Sequence, residues 1–232
     1  MACCHAEEST MPHTLSIAAA QREAGSVSIR NSKMPSTSFA LTVDQCNVGA
    51  KLALVPGSTC HECYAAAIEK RYPSAHKGWT ANFERATQMI STDPERWAKW
   101  ITFQIVTLTK KTGIPYHRWF DSGDIASLAM LHAIVRVCEL TPDIHHWLPT
   151  REAAVVKAFL RQRDFPPNLV VRISSTMVDD KPIKGYKHTS TVHSHGRSWI
   201  GEDCQARTRG NACGPCRLCW DTTVENISYP LH

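Results

Sequence analysis

The sequence predicts an α/β chain: a partial (β/α) barrel or parallel sheet, led by a flexible N-terminal extension and followed by a C-terminal Cys-rich cluster-binding segment. Three observations predict it. Strand and helix patterns alternate strictly over residues 94–174, which calls for parallel strands joined by right-handed crossovers. The 232 residues are 43% hydrophobic, enough for one real core, whereas a complete eight-stranded barrel usually takes ~250 residues. Ten cysteines concentrate on either side of the alternating region. The expected division is residues 1–33 as the extension, 34–200 as the partial barrel and 201–232 as the Cys-rich segment packed on it.

The elements follow in order. Residues before about 30 are poor in aromatics and carry scattered Ser, Ala and charge, hence a flexible lead-in. Tyr64-Ala-Ala-Ala-Ile-Glu-Lys starts a helix at the Cys60/Cys63 pair. From Pro94 to Thr109 the apolar residues recur at helical spacing, with Asp93 as N-cap, Pro94 in the first turn and Gly113 as the stop. Ile114–Phe120 reads as a strand, Ile125–Leu140 as an amphipathic helix closed by Thr141-Pro142, and Ile144–Leu148 as the next strand. A helix over Arg151–Arg163, the pair Pro166-Pro167 and a strand over Leu169–Ser174 complete the series. His145 and His146 are adjacent on a strand, so at most one faces the interior.

In such sheets ligands gather beyond the carboxyl ends of the strands. There the chain carries Asp121, Ser122, Gly123 and Asp124, then Thr150, Arg151 and Glu152, then Ser174, Ser175 and Thr176. Each also has a purely structural use: Asp124 and Thr150 as helix N-caps, the serines in a turn. Three polar strand ends beside thiol clusters favour a binding cleft. Asp121, Asp124, Arg151, Glu152 and Arg172 are the candidates for holding a small-molecule cofactor or substrate.

The thiols carry the strongest signal. Cys213-Gly-Pro-Cys216-Arg-Leu-Cys219 spaces three at consecutive three-residue intervals, with Cys204 a short loop upstream. That spacing serves a metal or iron–sulfur centre rather than local packing. Zinc and a four-iron, four-sulfide (4Fe–4S) cluster both fit it, with Cys204 as the fourth ligand; Gly214 and Pro215 suit the tight turn. Upstream, Cys46, Cys60 and Cys63 have no obvious fourth partner, and three ligands leave one iron of a cube open. His61 or a remote Cys would instead complete a structural site. One or two clusters are expected. Cys138 lies in an apolar helical pattern and reads as a small buried hydrophobe, and Cys3 and Cys4 are assigned no role.

Composition excludes several classes. The first residues lack a basic end followed by an apolar run, so no secretory signal is expected. No stretch approaches the ~20 apolar residues of a membrane span. A cytoplasmic location with reduced thiols follows, and no membrane partner. The net charge is +5. Residues 151–219 hold twelve Lys and Arg against six Asp and Glu, so the surplus lies in the C-terminal third. A basic face of that kind suits nucleic acid as a partner, or simply solvates the surface.

Cys46…Cys60-His-Glu-Cys63-Tyr-Ala, Arg118-Trp-Phe-Asp-Ser-Gly-Asp124, Trp147-Leu-Pro-Thr-Arg-Glu152 and the terminal Cys-x2-Cys-x2-Cys-Trp220 resemble the phage "gene product eighty-eight" family, from about Met34 onward. That resemblance implies a phage protein expressed in the host cell. More distantly, the order of parts is similar to radical S-adenosylmethionine (SAM) proteins. This likeness implies a redox enzyme with an electron donor, in which Cys46, Cys60 and Cys63 hold a 4Fe–4S cube whose open iron chelates SAM. Ser122, Gly123 and Asp124 would meet the amino group of SAM, and the terminal cysteines would form an auxiliary centre. The chain departs from that pattern in its thirteen-residue first interval, where those proteins have three residues. The alternatives are a zinc- or cluster-stabilised nucleic-acid-binding protein without catalysis, and a structural or electron-carrying iron–sulfur protein.

Overall fold

A computed structural model describes residues 16–29 and 33–231. In chain order it contains α1 (Ile17–Ala24), β1 (Val27–Ile29), β2 (Thr37–Phe39), α2 (Asn47–Leu52), α3 (Tyr64–Arg71), α4 (Pro73–Thr92) and α5 (Pro94–Thr112). Then come β3 (Tyr116–Trp119), α6 (Leu128–Glu139), β4 (His145–Thr150), α7 (Ala153–Leu160), β5 (Leu169–Ser174), β6 (Thr189–His193), β7 (Glu202–Asp203) and β8 (Asn226–Pro230). One eight-stranded sheet runs β1-β2-β3-β4-β5-β6-β8-β7. β1 is antiparallel to β2 and every other pairing is parallel. From β2 to β6 the order in space follows the order in sequence. Among the described residues β1 and β7 each pair on one side only, so the sheet is mostly parallel without closure into a barrel.

Strand periodicity assigns the two faces. Phe39, Trp119, Leu148, Val171 and Ile173 belong to the main core, where they meet Trp97, Ile101 and Ile105 of α5, Leu131 and Ile134 of α6 and Phe159 of α7. Phe39 packs edge-on to Trp97 and Trp119, with ring centroids 6.1 and 6.2 Å apart. The opposite face, bearing Tyr116, Trp147, Ile227 and Tyr229, is covered by the Cys-rich segment through Cys219 and Trp220. Helices cover one side and a thiol-bearing loop covers the other.

Several sequence expectations shift. Of the expected flexible extension, residues 1–15 and 30–32 lie outside the described residues, while α1 and β1 belong to the fold. Ser16 caps α1, and Ala20 and Ala24 are fully buried. Trp97 Nε1 donates to the Ala24 carbonyl, and the Val27 N–H donates to Gln104 Oε1. Alanines that pack by being small, and polar groups that satisfy a turn, leave no periodic apolar signal. Asp124 does not cap the following helix: Ser127 does, accepting the Met130 N–H, because α6 begins only at Leu128, after an extended Ser127 and a buried Ile125. Nor does Thr150 cap α7 as its N-cap residue, which is Glu152. The C-terminal segment is not merely packed on the sheet, since β8 inserts between β6 and β7. His146 is buried and His145 exposed, stacked on Tyr116. Cys138 is fully buried in α6. No helix among the described residues is long and apolar enough to cross a membrane.

Candidate functional site

The parallel strands β2 to β5 end together, and the Asp-Ser-Gly-Asp turn after β3 is clamped to the end of β2. The Phe120 N–H donates to the Phe39 carbonyl, and the Leu41 N–H to the Ser122 carbonyl. Gly123 has φ +80°, and a Cβ there would stand 2.7 Å from Leu41 Cβ and 2.8 Å from its carbonyl oxygen. Only glycine satisfies both the conformation and the close approach. Phe120 itself adopts φ +53°, an uncommon state for a bulky residue, held by these flanking bonds.

Asp124 joins the ends of β3 and β4. Its Oδ1 accepts from Thr150 Oγ1 at 2.6 Å and from the Ile125 N–H, and its Oδ2 accepts the Arg151 N–H at 2.8 Å. Burial pushes its pKa up to about 6 against the pull of those donors. Asp121 accepts from Ser38 Oγ, and its backbone carbonyl accepts the Tyr64 hydroxyl.

The same strand ends hold the thiol-bearing loops. Glu152, buried, accepts the Val48 N–H at 2.8 Å and so fixes the segment that starts at Cys46. Arg151 Nε donates to Thr59 Oγ1 at 3.0 Å, beside Cys60. Thr59 is also bound to the loop after β5: its N–H donates to the Thr176 carbonyl and its hydroxyl to the Ser175 carbonyl. Cys63 opens α3, whose first residue, Tyr64, reaches Asp121. Thus Asp121, Ser122, Gly123, Asp124, Arg151 and Glu152 do come together beside Cys46, Cys60 and Cys63. The three thiols lie within one another's electric field. Burial, then Asp124, Cys63 and Cys60, push the Cys46 thiol up to about 12; burial also raises Cys60, with Arg151 pulling it back.

Gly49 lies in α2, where a Cβ would stand 3.0 Å from Cys46 Cβ and 3.7 Å from both Cys46 Sγ and Cys60 Sγ. The helix therefore runs close against this thiol pair, and the two sulfurs converge on one point.

Arg172 is elsewhere. Fully buried on β5, it spends its donors on backbone carbonyls, all but one in the Cys-rich segment: Nε on Cys219, Nη2 on Leu218 and Asp221, Nη1 on Val224, Glu225 and, on β6, Thr189. The sequence made it a candidate for holding a cofactor or substrate; as the fourth residue of β5, on the face opposite the helices, it clamps the chain instead. The terminal thiols gather over that clamp. The Cys204 N–H donates to the Ser228 carbonyl, the Cys213 N–H to the Lys33 carbonyl and the Cys216 N–H to the Cys213 carbonyl. Cys219 Sγ lies 3.3 Å from the Tyr229 hydroxyl. Burial pushes Cys219 up to about 12 and also raises Cys204 and Cys213; each of these three feels other thiols of the set.

Among the described residues, three ligand atoms come within 4.8 Å of one another at Asp44, Glu69 and His76, and at no cysteine set. Buried Glu69 accepts from Thr42 Oγ1, the Val43 N–H and His76 Nδ1, tying the Cys46 segment to α3 and α4. This clasp was missed in the sequence because Glu69 and its partners lie on different elements with no shared spacing.

A family model described as Gene product 88 matches residues 13–222. No curated protein matches. No solved structure matches.

Proposed function

The chain belongs to the gene product 88 family, and from its strand-end thiols we propose that it binds a 4Fe–4S cluster on Cys46, Cys60 and Cys63 and works as a radical-SAM-like redox enzyme. The observation that carries the reading is the convergence of Cys46 Sγ and Cys60 Sγ on Gly49, each 3.7 Å from the place its Cβ would take. When bound, such a cluster would supply one electron to the C5′–S bond of SAM, releasing methionine and an adenosyl radical that takes a hydrogen atom from substrate.

The chain's own residues position and shield. Glu152 fixes the Cys46 segment, Arg151 and the Ser175–Thr176 carbonyls fix the Cys60 loop, and Asp124 locks two strand ends together. Ser122 and Asp121, at the clamped turn, are the groups that would orient the amino and ribose groups of SAM. Cys204, Cys213, Cys216 and Cys219 form the second centre of this reading, closed by four thiolates and holding zinc or a second cluster. The single direction of winding from β2 to β6, with helices on one face, is the topology a partial barrel needs.

The test is to reconstitute the protein without oxygen, add dithionite and SAM, and look for 5′-deoxyadenosine. The expected result is turnover of SAM that Cys60→Ala abolishes. Iron without that product would leave an electron-carrying or structural iron–sulfur protein. A colourless zinc protein would instead favour the nucleic-acid-binding reading.

A further inference from the structure

We infer that Arg118 is the internal counter-charge of the terminal thiol set, shared with the strand-end site. This rests on reading that set as a metal centre. The register of β3 puts Arg118 level with Ser38 of β2 and Trp147 of β4, on the face that the Cys-rich segment covers. Its guanidinium lies 4.6 Å over the Trp147 ring, and its Nη1 is 3.5 Å from Met34 Sδ. Met34, Trp147, Cys219 and Trp220 form one buried cluster, with Cys204 and Cys213 packed against it. The Cys213 N–H is bonded to the Lys33 carbonyl, next to Met34. Cys213, Cys219, Tyr229, Asp121 and Tyr64 all lie close enough to Arg118 to interact with its charge.

The neighbouring guanidiniums also act on these thiols, Arg172 on Cys219, Arg209 on Cys204 and Arg217 on Cys213, but they hold donors on backbone carbonyls. Arg172 serves backbone carbonyls throughout, Arg217 donates to the Gly214 and Cys216 carbonyls, and Arg209 Nε reaches the Ala212 carbonyl. Arg118 Nε is sealed from solvent without a hydrogen-bond partner. A cation held in an aromatic clamp, with an uncommitted donor, suits a diffuse anion rather than a structural carbonyl.

Charge counting supplies the anion. Four thiolates around Zn²⁺, or around an oxidised 4Fe–4S core of charge 2+, leave a net charge of −2. Such a charge beside Trp147, Trp220 and Ile227 needs a compensating cation close by, because burying it alone is strongly unfavourable. Arg118 provides it from within the sheet. The same guanidinium also interacts with Asp121, which links the terminal centre electrostatically to the strand-end site.

The test compares full-length wild-type protein with R118Q and R118K in a Cys60→Ala background, so that metal at the terminal set is read alone. Metal is identified by element and stoichiometry, and its retention is measured against a competing chelator. R118Q should lose retention at least tenfold, while R118K, which keeps the charge, should stay within about threefold. Equal retention in R118Q and the parent would overturn the inference while leaving the metal centre standing. Equal losses in R118Q and R118K would also overturn it, since they would mean that Arg118 only packs. A parent protein with no metal at Cys204, Cys213, Cys216 and Cys219 would sink the metal reading and this inference together. Should R118Q not fold, R118M keeps the stem against Trp147 without the charge and gives the same comparison.

Discussion

Gly49 marks where α2 runs close against the thiol pair. Glycine inside a helix costs up to ~1 kcal/mol against alanine; the Gly49 backbone is not left-handed, and the reason for glycine is that a Cβ would crowd Cys46 Cβ at 3.0 Å. Gly49→Ala is therefore expected to keep Tm within a few degrees while the iron of the open set is lost, measured by thermal melting and metal analysis on one preparation. Gly123→Ala should behave oppositely. The clash with Leu41 at 2.7 Å and the positive φ would lower stability on the order of 2 kcal/mol by denaturant titration. At this scale the sequence was informative about position: Asp121, Asp124, Arg151 and Glu152 stand at the strand ends where the alternation put them, with Cys60 on a loop bonded to Arg151. It was silent on Arg118, Glu69 and His76, whose partners lie on other elements and are joined only by folding.

The elements carry the pH dependence and the anchoring of the terminal segment. His117 on β3 and His146 on β4 are fully buried, each bonded to one threonine hydroxyl, Thr37 and Thr141. Burial holds His117 well below its ordinary value and His146 down to about 3. Unfolded histidine titrates near ~6.5, so both contribute stability in full above that pH and lose it as pH falls toward about 3. Asp124, raised to about 6, runs the other way: its contribution is full below ~4 and is lost as pH rises through about 6. Two histidines with the larger displacement outweigh one carboxyl. The urea midpoint should fall between pH 7 and pH 4, by on the order of 2 kcal/mol or more, and His146→Gln should flatten that slope. Arg172→Met should orphan a row of buried carbonyls, costing on the order of 3 kcal/mol or more and exposing residues 204–224 to limited proteolysis.

The elements also show why part of the fold was legible. β5 was read with its observed bounds, α5 and α6 from their apolar spacing and stops, α3 from its start at the cysteine pair and α7 from its place between two strands. α4 escaped because its buried positions are Asn82, Ala86 and Ile90, and Asn82 works by bonding the Ser26 and Ala40 carbonyls. β2 and β7 are too short to show a period, and β8 ends in proline.

The whole molecule is one mostly parallel sheet with helices on one face and a cysteine-bearing cover on the other. Strand-end residues from Asp121 to Thr176 hold the loops of Cys46 and Cys60, while Arg172 holds the cover from within the sheet. The alternation of strands and helices foretold this layering; the insertion of β8 did not show, because nothing in a local window marks a strand that returns to pair with a distant one. The most direct measurement is iron and acid-labile sulfide per chain in protein prepared without oxygen, wild type beside Cys60→Ala. The account expects equal iron and sulfide, with about four of each lost in the variant while the fold is kept. Wild-type protein without iron and sulfide, or with identical contents in the variant, would contradict it.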